Sequence, residues 1–123
     1  MPSLEQLSSA KYVLLTTFRR DGRGVPTALW AVPDGAGLAV WTPKDSGKIK
    51  RIRNNGRVTV AACDVRGKQQ GEAVEAVARI GEPADRARVT ESLGRKYGLI
   101  ARLTVLGSRL RRGADGAVAI LVS

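Results

Sequence analysis

The chain has 123 residues, 43% of them hydrophobic, with 21 Lys and Arg against 11 Asp and Glu for a formal charge of +10. That length suits one ordinary domain with a real core, and the charge favours anionic partners without saying anything about fold. No apolar run approaches the ~20 residues that cross a bilayer. The opening residues MPSLEQLSSAK lack the basic head and apolar core of a leader, so no membrane partner and a cytoplasmic location are expected. One cysteine, Cys63, excludes an internal disulfide, and the absence of histidine excludes a Ser-His-Asp or Cys-His triad. The same two counts argue against a zinc site, so no metal is expected, and redox chemistry would have to come from a bound cofactor.

In chain order, SLEQLSSA predicts a short helix with Ser3 as its N-cap and Leu4 and Leu7 on one face. KYVLLTTF (11–18) is rich in strand formers, and the Asp21-Gly22 pair suits a hairpin turn. VPTALWAV (25–32) is the returning strand, with Pro26 marking an edge or irregularity near its start. PDGAG (33–37) is a turn and LAVWT (38–42) a third strand. Ser46 can cap a helix from Gly47 to Asn54 that turns Ile49 and Ile52 inward, and Asn54-Asn55-Gly56 suits a left-handed closure. RVTVAACDV (57–65) and EAVEAVARI (72–80) read as strands. EPADRARVTESLGRKYG predicts a helix with Pro83 in its first turn, Val89, Leu93 and Tyr97 on one face, and Gly98 at its end. LIARLTVLGSRLRR reads equally as a helix or a basic loop, and AVAILV (117–122) is a closing strand. Six hairpin-linked strands with helices at the edges predict a mainly β, antiparallel barrel, one domain over 1–123, because closure removes exposed edges.

The segment WTPKDSGKIKRIRNNGRVTV (41–60) carries six basic residues and one acid, Asp45. It reads as a solvated surface, a nucleic-acid footprint or a socket for a small anion. A helix N-terminus presents unsatisfied N–H groups and partial positive charge. Gly47 lets an oxyanion approach the backbone, and the Ser46 hydroxyl can donate when it is not capping. Lys48 stands in the first turn, where a cation opposes the helix dipole unless an anion is present. Arg51 projects from the same side and can fork onto the same group. Trp30 and Trp41 end neighbouring strands, where indoles can flank a flat ring or simply fill a core. Thr27 and Thr42 lie near them and can donate to a ring carbonyl. Cys63 reads as a small buried hydrophobe, and Arg109, Arg111 and Arg112 as solvated surface.

The order YVLLTTFRRDGRGVPTALWAV, LAVWTPKDSGKIKRIRNNGRVTVAACDVRG and GEAVEAVARI resembles the pyridoxamine-phosphate-oxidase-like split β-barrel superfamily. Within it the chain looks like the deazaflavin (coenzyme F-420)-dependent oxidoreductases of type B. The resemblance implies a homodimer of six-stranded split barrels with cofactors in grooves between subunits. It implies that Ser46, Gly47 and Lys48 form a phosphate turn assisted by Lys50 or Arg51, and that Pro26, Thr27, Ala28 and Trp30 lie along the ring. Some members carry arginine where Ser46 stands, which shifts weight onto Arg51 here. The implied activity is hydride transfer from reduced F-420 to a small unsaturated or quinone-like acceptor, with no side chain as catalytic acid or base. The same fold would serve for FMN, or for a flavin or tetrapyrrole held for storage or sensing. A small basic nucleic-acid-binding barrel is the rival from another class, weakened by only five aromatic residues for base stacking.

Overall fold

The computed structural model describes residues 2–113 and 116–123. Its elements run α1 (Leu4–Leu7), β1 (Tyr12–Phe18), β2 (Gly24–Leu29), β3 (Ala31–Asp34), β4 (Gly37–Pro43), α2 (Gly47–Asn54), β5 (Arg57–Cys63), β6 (Val74–Ile80), α3 (Pro83–Tyr97), α4 (Leu99–Arg112) and β7 (Ala117–Val122). Every strand pairing is antiparallel, in the order β2-β1-β5-β6-β7-β4-β3. The two terminal strands of that order are neighbours in the chain, separated by Trp30 alone. The sheet therefore curls round until its ends meet at one residue, which makes it a split barrel. This is the mainly β fold expected, with one correction in the count. Residues 25–32 do not form one strand: β2 pairs with β1 while β3 pairs with β4, so seven strands stand where six were predicted.

Alternation along the strands fills the interior. Val13 and Leu15 of β1, Val58 and Val60 of β5, Leu38 and Val40 of β4 and Ile120 and Val122 of β7 are all buried in one cluster, with Ile49 and Ile52 of α2 and Leu7 of α1 joining it. The opposite faces of β3, β4 and β7 are also buried. Val32, Ala39, Ala119 and Leu121 pack on Val89 and Leu93 of α3 and on Ala101 of α4. One side of the barrel is thus sandwiched between its own interior and a helical layer.

The helix ends follow their local chemistry. Ser3 caps α1 in a reciprocal box with Gln6, as its sequence predicts. Pro83 opens α3, and Gly98 at φ +73° lets the chain turn directly into α4, so LIARLTVLGSRLRR is a helix and not a loop. The close of α2 departs from expectation. Asn55 is extended, with its N–H donating to Arg51 O, and Gly56 is not among the glycines with positive φ. The chain passes straight from helix into β5, where Ala78 N–H donates to Gly56 O at 2.7 Å, and no left-handed residue is needed.

Candidate functional site

Two places gather the residues nominated from sequence. At the first, Ser46 is the N-cap of α2 by its backbone, but its hydroxyl makes no capping hydrogen bond. Instead it lies 3.5 Å from the Thr42 hydroxyl, which is buried. The Ser46 hydroxyl is therefore not committed to the helix end. Gly47 follows, and its bare Cα faces the Arg51 guanidinium. A methyl group added there would sit 2.8 Å from Arg51 Nη1. Arg51 is oriented from the barrel wall, since its Nε donates to the buried Thr17 Oγ1 at 2.6 Å. Lys48 is half-buried beside it, and desolvation, then the charge of Arg51, hold its pKa below the ordinary lysine value. Among the described residues neither cation is paired with an acid.

This is an electrostatic debt. Two like charges converge on a helix N-terminus, with the Arg51 guanidinium packed over Gly47, and an anion would offset the charges and the helix dipole together. Lys50, nominated for the same job, lies on the outer side of the Ser46 turn. It is exposed and lines a surface groove of 380 Å³ that also includes Ser46, together with Arg20, Lys44 and Arg53. The six basic residues of the 41–60 segment thus divide. Arg51 reaches the barrel wall with Lys48 half-buried beside it, Lys44, Lys50 and Arg53 line the outer groove, and Arg57 pairs with Glu75 at 2.7 Å.

At the second place, Ala28, Leu29, Trp30, Tyr12, Trp41 and Leu93 line a groove of 300 Å³. Trp30 lies at the break between β2 and β3, and Tyr97 stacks on it with ring centroids 4.8 Å apart and planes 18° from parallel. The Tyr97 hydroxyl accepts from Ala31 N–H at 3.2 Å and donates to Lys11 O at 2.7 Å. Its neighbour Lys96 donates to Ser8 O, Ala10 O and Ala31 O at 2.5–2.7 Å, and desolvation pushes its pKa down to about 8. Lys96 and Tyr97 together fix the strand break that presents Trp30. Pro26 and Thr27 belong to β2, opposite Thr16 and Leu15 of β1, and lead from the α2 end towards this groove. Thr42 is buried, with its hydroxyl 3.5 Å from that of Ser46, and is not among the residues lining this groove.

Sequence reasoning missed Thr17, Lys96 and Tyr97 as contributors. Lys96 and Tyr97 sit in the last turn of α3, where a basic residue is ordinary and an aromatic reads as core. Thr17 carries no signal in sequence, since a strand threonine needs no partner. Cys63 is buried as expected, and burial, with help from Asp64, pushes its thiol pKa up, away from nucleophilic use. A further cavity of 330 Å³ under α3 and α4 has Trp41, Arg86, Glu91, Ser108 and Arg109 in its wall, and of the residues put forward for a ring or phosphate it contains Trp41 alone.

A curled antiparallel sheet whose ends meet at Trp30, with a helix N-terminus gathering cations beside its wall and an aromatic groove at the split, defines a split-barrel protein. The family model for pyridoxamine 5′-phosphate oxidase matches residues 3–121, and the chain belongs to that family. No curated protein sequence matches it significantly. Solved structures share the fold at low identity. Rv2991, a conserved hypothetical protein of Mycobacterium tuberculosis, is 23% identical with a TM-score of 0.71, over 95% of this chain and 74% of that one. The heme storage protein HutZ of Vibrio cholerae is 16% identical with a TM-score of 0.68, over 95% and 83%. An F-420 reductase is 20% identical with a TM-score of 0.64, over 99% and 93%.

Proposed function

We propose that this protein is an oxidoreductase of one domain that binds the deazaflavin coenzyme F-420 and passes hydride to a small unsaturated or quinone-like acceptor. The observation that carries the reading is the unneutralised pair Lys48 and Arg51 at the Gly47 turn. It fits a phosphate in donor chemistry and in positive field, with the Arg51 guanidinium lying directly against the Gly47 backbone. Lys48, the freed Ser46 hydroxyl and the α2 amides would hold the phosphate, and Arg51, braced by Thr17, would close its side. From Val25, opposite Thr17, to Leu29 at the aromatic groove is four strand residues, about 13 Å, a span suited to a coenzyme with phosphate at one end and ring at the other. Pro26, Thr27, Ala28 and Trp30 would line the path, with Trp30 held rigid by Tyr97.

The reduced coenzyme supplies the hydride. The chain's part is to bind, orient and shield, which requires no histidine. The acceptor gains two electrons with the hydride, and solvent supplies the balancing proton. A homodimer with the coenzyme between copies belongs to this reading, since the groove beside Trp30 is open on one side of the single chain. The presence of an F-420 reductase among proteins of the same fold supports the choice of coenzyme. FMN is the alternative that the same phosphate grip would accept.

The test is a titration of purified protein with F-420, FMN, haem and biliverdin, followed by oxidation of reduced F-420 in the presence of quinones. Saturable binding of F-420 at one per chain, with quinone-dependent oxidation, is expected. Tighter binding of haem or biliverdin, or no F-420 binding, would remove the proposal.

A further inference from the structure

Helix α4 carries its apolar residues on the wrong side for a core. Ala101, Val105 and Ser108 face the body and are buried. Leu99, Leu103, Leu106 and Leu110, spaced by four, three and four residues, form a stripe on the opposite side, and Ile100 adjoins it. These five are 51–81% exposed, and they dominate the large exposed hydrophobic residues of the described chain. At 3.6 residues per turn, Arg102 and Arg109 fall on one shoulder of the stripe and Arg111 on the other, and the helix contains no acid. An outward leucine ridge with arginines on both flanks is the arrangement of a helix that lies in the plane of a lipid headgroup layer.

We propose that α4 docks the protein peripherally on an anionic lipid surface. Charge decides between this occupant and a second copy. The 4-3-4 spacing would serve a coiled-coil seam, but antiparallel pairing of two α4 helices sets Arg102 against Arg109 of the other copy, with no acid on either helix to offset them. An anionic headgroup layer satisfies the leucines and the arginines together, and the +10 charge of the whole chain adds long-range attraction. No helix is long and apolar enough to cross a membrane among the described residues, and surface docking needs none. The expectation of no membrane partner rested on the absence of a spanning segment, which leaves a helix lying flat untouched. This inference is independent of the coenzyme reading.

The experiment is flotation of the full chain with vesicles of phosphatidylglycerol and phosphatidylcholine in equal parts, against phosphatidylcholine alone, at low and high salt. Association with the anionic vesicles should be roughly tenfold tighter or more, and should weaken with salt. Leu103→Gln with Leu106→Gln should reduce it about tenfold while circular dichroism and sedimentation velocity stay unchanged. Arg109→Gln with Arg111→Gln should weaken it and flatten its salt dependence. Absence of association with the anionic vesicles overturns the proposal. So does association that ignores the leucine changes, which is charge adsorption alone. A leucine variant that shifts the protein to a smaller oligomer also overturns it, because the stripe is then an interface between copies.

Discussion

Lys48 and Lys96 are both half-buried, and desolvation holds both below the ordinary lysine pKa, yet their surroundings are opposite. Lys96 spends its three N–H bonds on three backbone carbonyls from the end of α1, the start of β1 and the start of β3. Lys48 has another cation beside it and no hydrogen-bond acceptor among the described residues. The first arrangement is complete without a ligand. The second is incomplete in one specific sense, the missing negative charge. A half-buried lysine is therefore structural or ligand-directed according to what its protons reach, and burial alone does not tell which.

Replacing Lys96 with Met should give the largest effect. Losing charge-assisted bonds and orphaning three carbonyls should lower unfolding free energy by about 3 kcal/mol or more in a urea titration. A loss under about 1 kcal/mol would show that water replaces the ammonium at no cost and would dissolve the contrast. Lys48→Ala should do the reverse, weakening coenzyme binding by about 1.5–3 kcal/mol while leaving the urea midpoint in place or slightly raised. Gly47→Ala sharpens the same point at smaller scale. The helix should gain up to about 1 kcal/mol in propensity, whereas the added methyl group crowds Arg51 and should weaken binding several-fold, by about 1 kcal/mol. Improved or unchanged binding in that variant would show that the anion does not approach the Gly47 backbone.

The remaining tests are in pH. Lys96 has a folded pKa near 8 and an unfolded value near 10.5, so above about pH 8 the unfolded chain holds a proton that the folded chain has shed. Its contribution must rise between those limits. The stability difference between the wild type and Lys96→Met should therefore grow with pH in that window and stay flat below it; a difference that shrinks there would contradict the assignment. Lys48 titrates below the usual lysine range in the free protein, and an anion favours its charged form. Coenzyme affinity should fall as pH rises through that free-protein value, and Lys48→Met should abolish the fall.

The parts of the fold that sequence reveals are those where one period governs. The buried alternation of β1 at Val13, Leu15 and Thr17, and the α3 face of Val89 and Leu93, follow directly from their patterns. The break at Trp30 is hidden because no turn residue stands between Thr27 and Val32, and only the two different partners of β2 and β3 divide the stretch. Helix α4 is hidden for the contrary reason. Its strongest apolar residues point outward, and its buried positions are the small Ala101, Val105 and Ser108.

The site was readable in composition and not in grouping. Residue type and spacing put Ser46, Gly47, Lys48, Lys50 and Arg51 in one turn, but they do not show that Lys50 is exposed in an outer groove beside Ser46 while Lys48 is half-buried beside Arg51. Nor do they reveal that Thr17, thirty-four residues earlier, aims Arg51. Likewise the indole at Trp30 is visible as an aromatic near a ring path, whereas its stacking partner Tyr97 comes from the far end of α3. Contacts of this kind depend on closure of the barrel, which local pattern does not encode.

The central claim is that the unpaired charge at Lys48 and Arg51 exists for an acidic coenzyme. Its most direct test is a fluorescence titration of the wild type and Lys48→Ala with F-420, with the unfolding midpoint of each recorded alongside. The account predicts saturable binding by the wild type, affinity at least about tenfold lower in the variant, and matching midpoints. Equal affinities in the two proteins would contradict it.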